Sequence, residues 1–424
     1  MSNQTGPPRP MTLTEKIIAR AAGRAAVAPG DEVWAAVDLA AMHDSSGPRR
    51  IAGTLERLGG RLWDRDRVVL AVDHFTPPAT VRHAEILATT RRWARDAALR
   101  HFFDGVGIMH NVLLEEGLAL PGTLIVGADS HTVTAGAAGA LAVGVGATEL
   151  ATVLVTGEIW LRVPPTVLVR FEGALPPYLT ARDLAMAVLR DLRADFAIYR
   201  AVEFAGPTVE TMALDERAVL ANQAIEMGAK NGIVPPSGPV LARYGAAAAA
   251  AGRPLAGDPE CAYEAVHAFD AAALPPLVAA PPNVDNVRPV ADLAGLPLDR
   301  AYLGSCVGGK AHDLRAAARV LRGRRVRIPL QVTPATQRVV EETLADGPLG
   351  VLVAAGAVVA APGCGACAGL HGGLLGPGER CVASVTRNFP GRMGAPSAEI
   401  YLASPLTVAA SAVTGRLTDP RELL

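Results

Sequence analysis

Leu124-Ile125-Val126-Gly127-Ala128-Asp129-Ser130-His131-Thr132 is the stretch on which the fold turns. Three branched apolar residues ended by glycine read as a strand buried on both faces, and such strands belong to parallel sheets covered by helices. Directly past its carboxyl end stand an acid, a hydroxyl and an imidazole. Open α/β sheets build their sites there, beyond the carboxyl ends of the strands. The arrangement also occurs earlier, where Val68-Val69-Leu70-Ala71-Val72 runs straight into Asp73-His74.

Working outward, residues 14–26 and 51–58 carry apolar positions at helical spacing, and 33–39 is a short β-rich run. The alternation resumes with a strand at 166–171 and helices at Ala181–Leu192 and 214–227. Residues 273–290, with five prolines and little charge, read as a linker. The expected organisation is therefore α/β: a disordered lead over 1–10, then units at 11–164, 165–285 and 286–424.

A chain of 424 residues is too long for one core. Half of it is hydrophobic but only 4% aromatic, with Ala, Val, Leu and Gly in surplus, which suits helices packed on buried strands. The 40 basic and 41 acidic residues nearly cancel, so no global field gathers nucleic acid or an anionic membrane; an anionic substrate needs local arginines. Two uncharged stretches, 135–148 and 351–370, invite a membrane reading. The first is too short, and the second is broken by Pro362-Gly363-Cys364-Gly365-Ala366-Cys367, so it reads as a buried strand followed by a loop. The start of the chain lacks the basic and apolar segments of a secretion signal, and five cysteines are an odd number. Both point to reduced thiols and a cytoplasmic location.

Three of those cysteines lie on glycine-lined turns after apparent strands: Gly304-Ser305-Cys306 after 300–303, and Cys364 and Cys367 after 351–360. Glycine lets backbone approach a bulky inorganic ligand closely. A cysteine pair two residues apart also suits a redox dithiol or half a zinc site, and small buried thiols are the plain reading. A second ligand pair for zinc is missing from this unit. Three thiolates on an iron–sulfur cube would leave one iron open as a Lewis acid.

An ordered set of strings resembles the aconitase superfamily, and within it the branch of 3-isopropylmalate dehydratase and homoaconitase large subunits. It runs through Asp73-His74-Phe75-Thr76-Pro77, Gly107-Ile108-Met109-His110, Gly127-Ala128-Asp129-Ser130-His131-Thr132, Gly144-Val145-Gly146-Ala147-Thr148 and Thr156-Gly157-Glu158-Ile159-Trp160. The segment with Asn222, Glu226 and Gly228-Ala229-Lys230 follows, then Gly304-Ser305-Cys306, Pro362-Gly363-Cys364 and Arg387-Asn388-Phe389-Pro390-Gly391-Arg392. The resemblance implies three α/β/α units around a central iron–sulfur site, with the C-terminal swivel domain absent. It implies a 4Fe-4S cluster on Cys306, Cys364 and Cys367, leaving Cys261 and Cys381 outside the site. It makes Asp73 with His74 an acid pair near the departing hydroxyl, and it matches His110 with Glu226 and His131 with Asp129. Ser130, Arg387 and Arg392 become substrate contacts; a guanidinium fork binds a carboxylate through two parallel hydrogen bonds.

The implied activity is a hydro-lyase acting on a small hydroxy di- or tricarboxylate, 3-isopropylmalate or a related malate in leucine biosynthesis. Homoaconitate and a dimethylmalate-type or secondary-metabolism substrate are the alternatives. A separate small swivel-domain subunit is expected to complete a heterodimer and supply the proton-abstracting base. Cluster-free relatives bind RNA, so an RNA-binding or sensor role is weighed too; near-neutral charge counts against it. The chain departs from the family pattern at Val307-Gly308-Gly309, where Thr-Asn is usual, at Thr386 for Asn, at Met109 for Cys, and in the apolar turn Val133-Thr134-Ala135-Gly136. A polar surround for the first cysteine is thereby expected to be missing.

Overall fold

The computed structural model describes residues 9–424. The expected lead over 1–10 lies outside the described residues for 1–8; Arg9 donates from Nε to the carbonyl of Val27 at 3.0 Å.

Among the described residues three larger sheets organise the chain, beside a two-stranded antiparallel pair of Glu32–Ala36 with Glu158–Arg162. The first is wholly parallel, in spatial order His101–Asp104, Val68–Val72, Leu39–His43, Leu124–Gly127 and Leu141–Gly144. The second, also parallel, runs Asn231–Ile233, Ala201–Ala205, Thr166–Glu172 and Ala265–Asp270. The third has a parallel core of Glu399–Ala403, Arg380–Ala383, Arg300–Gly304, Leu330–Thr333 and Val358–Val359. Counted by chain position within each sheet, the first and the core of the third share the order 3-2-1-4-5, and the second has 3-2-1-4. In such sheets a crevice opens where strands 1 and 4 adjoin, because their following connections leave toward opposite faces. Val68–Val72 and Leu124–Gly127 are buried along their whole length, which is why they read as unbroken apolar runs.

Helix starts are set by local chemistry. Thr12 and Glu15 form a reciprocal capping box on Leu13–Ala21, and Thr180 with Asp183 does the same on Ala181–Leu192. The amphipathic stretch 214–227 is one helix, Leu214–Gln223, tightening into a 3-10 turn, Ala224–Met227. Among the described residues no helix is long and apolar enough to cross a membrane.

Two expectations are corrected. The strand read at 351–360 is a helix, Pro348–Ala355, followed by the two-residue strand Val358–Val359. An uncharged apolar run does not distinguish the two by periodicity, and Pro348 at a first helical position with Gly356 just past the end were the deciding signals. The proline-rich linker at 273–290 also contains sheet: Leu277–Ala279 pairs antiparallel with Glu399–Ala403 and with Val287–Pro289. The third sheet thus begins ahead of the boundary expected at 286.

The second sheet carries a pH-sensitive burden. Glu203 is buried on Ala201–Ala205; Tyr263 donates to its Oε1 at 2.8 Å, and Oε2 has no partner among the described residues. Burial pushes its carboxyl up to about 7 from 4.5. A raised carboxyl pKa means the folded state binds the proton more tightly, so this contribution is full below pH 4.5 and lost as pH rises through 7. Wild-type protein is expected to lose on the order of 2 kcal/mol of stability through this group between pH 5 and pH 8. Glu203→Gln should be free of that loss; equal pH slopes in urea titrations of the two proteins would disprove the assignment.

Candidate active site

Residues from the carboxyl ends of the first and third sheets line one cavity of about 100 Å³. Its wall holds His74, His110, Asp129, Ser130, His131, Cys306, Cys364, Cys367, Thr386, Arg387 and Arg392. In the first sheet, strand 1 ends at His43, strand 2 leads into Asp73-His74, and strand 4 into Asp129. In the third, strand 1 leads into Ser305-Cys306 and strand 4 into Thr386-Arg387. The two crevices therefore supply one site. The loops are stitched together: Cys364 N–H donates to the Asp73 carbonyl at 3.0 Å, and Ile108 N–H to the Ala335 carbonyl at 2.8 Å.

Ser305 turns the chain in the left-handed region, φ 76°, immediately ahead of Cys306. The glycines that follow are required by packing. A Cβ at Gly308 would lie 2.3 Å from the Ser384 hydroxyl, which itself accepts from Gly304 N–H at 2.9 Å. Val307-Gly308-Gly309 is thus the local solution to a close crossing of strands 1 and 4. The expectation of a missing polar surround for Cys306 is corrected accordingly: Asn222 donates from Nδ2 to its Sγ at 3.1 Å, reaching in from a helix 84 residues earlier. Thr386 likewise keeps its hydroxyl 3.9 Å from the Cys367 sulfur.

All three site cysteines are free thiols. Burial, reinforced by Cys367 and Cys364, pushes the Cys306 thiol well above its ordinary value. Burial pushes Cys364 up to about 11 despite His74, whose Nε2 lies 3.8 Å from its sulfur. Burial also opposes the Cys367 thiolate, but the Arg392 guanidinium, the Thr386 backbone N–H and His131 together outweigh it and lower that thiol; Arg392 Nη2 donates to the sulfur at 3.7 Å. Three converging thiols, each met by a donor, and a buried Arg392 Nε without a partner among the described residues suit an anionic inorganic cluster with cysteine ligands. Cys261 and Cys381 do not line this cavity; Cys381 is packed in the core of strand Arg380–Ala383.

The imidazoles are held by carboxylates, but two partnerships are exchanged relative to the expectation. His110 Nε2 lies 3.2 Å from Asp129 Oδ1, and His131 Nε2 lies 3.0 Å from Glu226 Oε1. The reason is local. Asp129 caps the 3-10 turn Ser130–Ala138 by accepting from His131 N–H at 2.7 Å, which folds its carboxylate toward His110 and leaves the His131 ring facing Glu226. His131 Nδ1 remains 3.6 Å from Asp129. Burial would raise the Asp129 carboxyl; His110 and the bonds from His110, His131 and His43 hold it well below the usual range. Burial likewise opposes the Glu226 carboxylate, and His131 and Arg387 lower it. Asp73 Oδ1 lies 2.7 Å from His74 Nδ1 and its Oδ2 accepts from Met109 N–H at 2.8 Å; despite burial it is lowered to about 2, chiefly by His74. Burial works against charge on His74, yet Cys364 and Asp73 raise it well above its ordinary value.

Arg387 Nε lies 3.0 Å from both Glu226 oxygens, and its Nη2 donates to Ser130 Oγ at 3.4 Å. Arg392 lies over the Phe389 ring with its guanidinium carbon 5.8 Å from the centroid. The fork of Arg387 is only partly used by protein, which leaves donors for an anionic ligand.

Sequence reasoning passed over His43 and Asp44. The signal available was positional: both stand at the carboxyl end of strand 1, as Asp73 and Asp129 do after strands 2 and 4. Asp44 accepts from the N–H groups of His74 and Phe75 at 3.1 and 2.9 Å, shaping the loop that presents His74.

A family profile described as "Aconitase family (aconitate hydratase)" matches residues 15–296 and 286–415. The chain is 45% identical to the 3-isopropylmalate dehydratase large subunit 1 of Methanopyrus kandleri, over 97% of this chain and 99% of that one. It is 44% identical to the 3-isopropylmalate dehydratase large subunit of Herpetosiphon aurantiacus, over 97% of each. It is 42% identical to the probable methanogen homoaconitase large subunit of Methanothermobacter thermautotrophicus, over 97% of this chain and 98% of that one.

Proposed function

The chain belongs to the aconitase family, and on that premise we propose that it is the large subunit of a hydro-lyase that isomerises 3-isopropylmalate, or a closely related substituted malate, by removing and re-adding water. The observation that carries the reading is the gathering of three thiols, three carboxylate-held imidazoles and two arginines around one cavity. Cys306, Cys364 and Cys367 are the residues that would hold a 4Fe-4S cluster. Bound there, it would supply an iron without a protein thiolate, a Lewis acid for a hydroxyl.

The remaining chemistry belongs to side chains of this protein. His74, fixed at Nδ1 by Asp73, carries its proton on Nε2 toward the thiols and delivers it to the departing hydroxyl. Arg387 and Arg392 hold substrate carboxylates, with Ser130 as a third contact. Asp129 and Glu226 fix the tautomers of His110 and His131, so the cavity presents one pattern of donors and acceptors. The base that takes the carbon-bound proton, together with the groups that select the substrate's side group, comes from a small partner subunit, in a heterodimer working in the cytoplasm.

The two subunits, assembled anaerobically with iron and sulfide, are expected to convert 3-isopropylmalate to its conjugated unsaturated acid, read by ultraviolet absorbance. The homoaconitase relative makes homoaconitate the second substrate to try. Turnover of homoaconitate alone would move the assignment to that branch, and turnover of neither of these nor of other substituted malates would defeat it.

A further inference from the structure

His43 does not line the cavity and is 3% exposed, yet it touches Asp129 and His74, which do. It is the last residue of strand Leu39–His43, the strand that lies between the one leading to Asp73-His74 and the one leading to Asp129. Its Nδ1 accepts from Ser45 N–H at 3.2 Å. A nitrogen that accepts carries no proton, so in the neutral ring the proton sits on Nε2, 3.1 Å from Asp129 Oδ2. The ring also stacks on His74, with centroids 4.0 Å apart and planes inclined by 14°.

Each contact bears on a different pair. The bond to Oδ2 turns the Asp129 carboxylate so that Oδ1 is left for His110 Nε2 and His131 N–H. The stack sets the plane of the His74 ring, whose Nδ1 then meets Asp73 and whose Nε2 points toward Cys364. Among the described residues, four charged or titratable groups face His43. Asp44 Oδ1 and Asp73 Oδ1 lie 3.9 and 4.0 Å from Nδ1, beyond hydrogen-bond range, and Asp129 and His74 complete the set.

We propose that His43 is a positioning residue that ties the Asp73–His74 pair to the Asp129–His110 pair, as a neutral imidazole with its proton on Nε2. This rests on the hydro-lyase reading above. Its orientation of the acid groups is worth about ten- to a hundredfold in rate, the scale of outer-sphere partners that orient an imidazole. His43→Phe keeps the ring and removes the donor; His43→Gln keeps a donor and removes the stack.

The test uses the assembled two-subunit enzyme. His43→Phe should lower kcat by about ten- to a hundredfold with KM within about twofold, with iron and sulfide content unchanged and with an altered pH profile of kcat/KM. His43→Gln should recover part of the loss. Wild-type kcat and pH profile in His43→Phe would refute the proposal, and so would a kcat loss that merely follows lost iron. The tautomer is read without turnover, from the imidazole nitrogen-15 resonances that disappear in His43→Phe: a protonated Nε2 and a bare Nδ1 are expected. The reverse tautomer sinks the positioning role even in an active enzyme. A wild-type enzyme inactive on every malate tried sinks the hydro-lyase reading instead.

Discussion

Cys306→Ser is expected to yield a folded chain that, after anaerobic treatment with iron and sulfide, retains almost no labile sulfide and turns over more than about a thousandfold more slowly. Burial, with Cys367 and Cys364 beside it, holds this thiol well above its ordinary value, against the opposing hydrogen bond from the Asn222 amide. Ionising it without a metal is therefore costly, and a cation or cluster is what makes the thiolate stable there. Serine removes a soft ligand while keeping the size of the side chain, so packing around Val307 and Asn222 is preserved. Lewis-acid polarisation of a hydroxyl is worth several kcal/mol, and about 4 kcal/mol corresponds to a factor of a thousand. Cys381→Ser is the paired control, because that thiol sits in the sheet core with burial pushing it up to about 12. It should keep its iron and sulfide. Full cluster content in Cys306→Ser, or its loss from Cys381→Ser alone, would show that the site was placed at the wrong sulfurs.

The second large effect falls on Asp129. Its carboxylate accepts from His131 N–H at 2.7 Å and stands 3.1 and 3.2 Å from the Nε2 atoms of His43 and His110. Asn has the same shape but offers one acceptor oxygen in place of two, so one of the imidazoles must face an N–H group. Asp129→Asn should therefore lower kcat by about a hundred- to ten-thousandfold, the span expected when an oriented acid–base group is lost, while iron and sulfide content stay as in wild type. The cap on the 3-10 turn is kept by the Asn oxygen, and the melting temperature should move little. Retention of kcat within about fivefold would remove Asp129 from the catalytic centre; iron loss in parallel with kcat would recast it as a structural cap.

Much of this site was written in the chain as local pattern. Buried apolar runs ending in Asp73-His74 and in Asp129-Ser130-His131 announced strands with chemistry at their carboxyl ends, and glycine-flanked Cys306, Cys364 and Cys367 stood out against two unremarkable cysteines. Local pattern was weaker where composition was ambiguous. An uncharged apolar run became the helix Pro348–Ala355, and a proline-rich stretch was absorbed as strands at the edge of the third sheet.

What the sequence by itself determined was which residues stand where strands end, because burial on both faces of a sheet leaves an unbroken apolar run that stops abruptly at the polar residues beyond it. Which of those residues face one another was decided only by tertiary structure. His110 takes Asp129, His131 takes Glu226, Asn222 reaches Cys306, and His43 joins two acid pairs across 86 residues of chain. Hydrogen bonds act over about 3 Å, and such distances between remote residues are fixed by the stacking order of strands and the turn that caps each one.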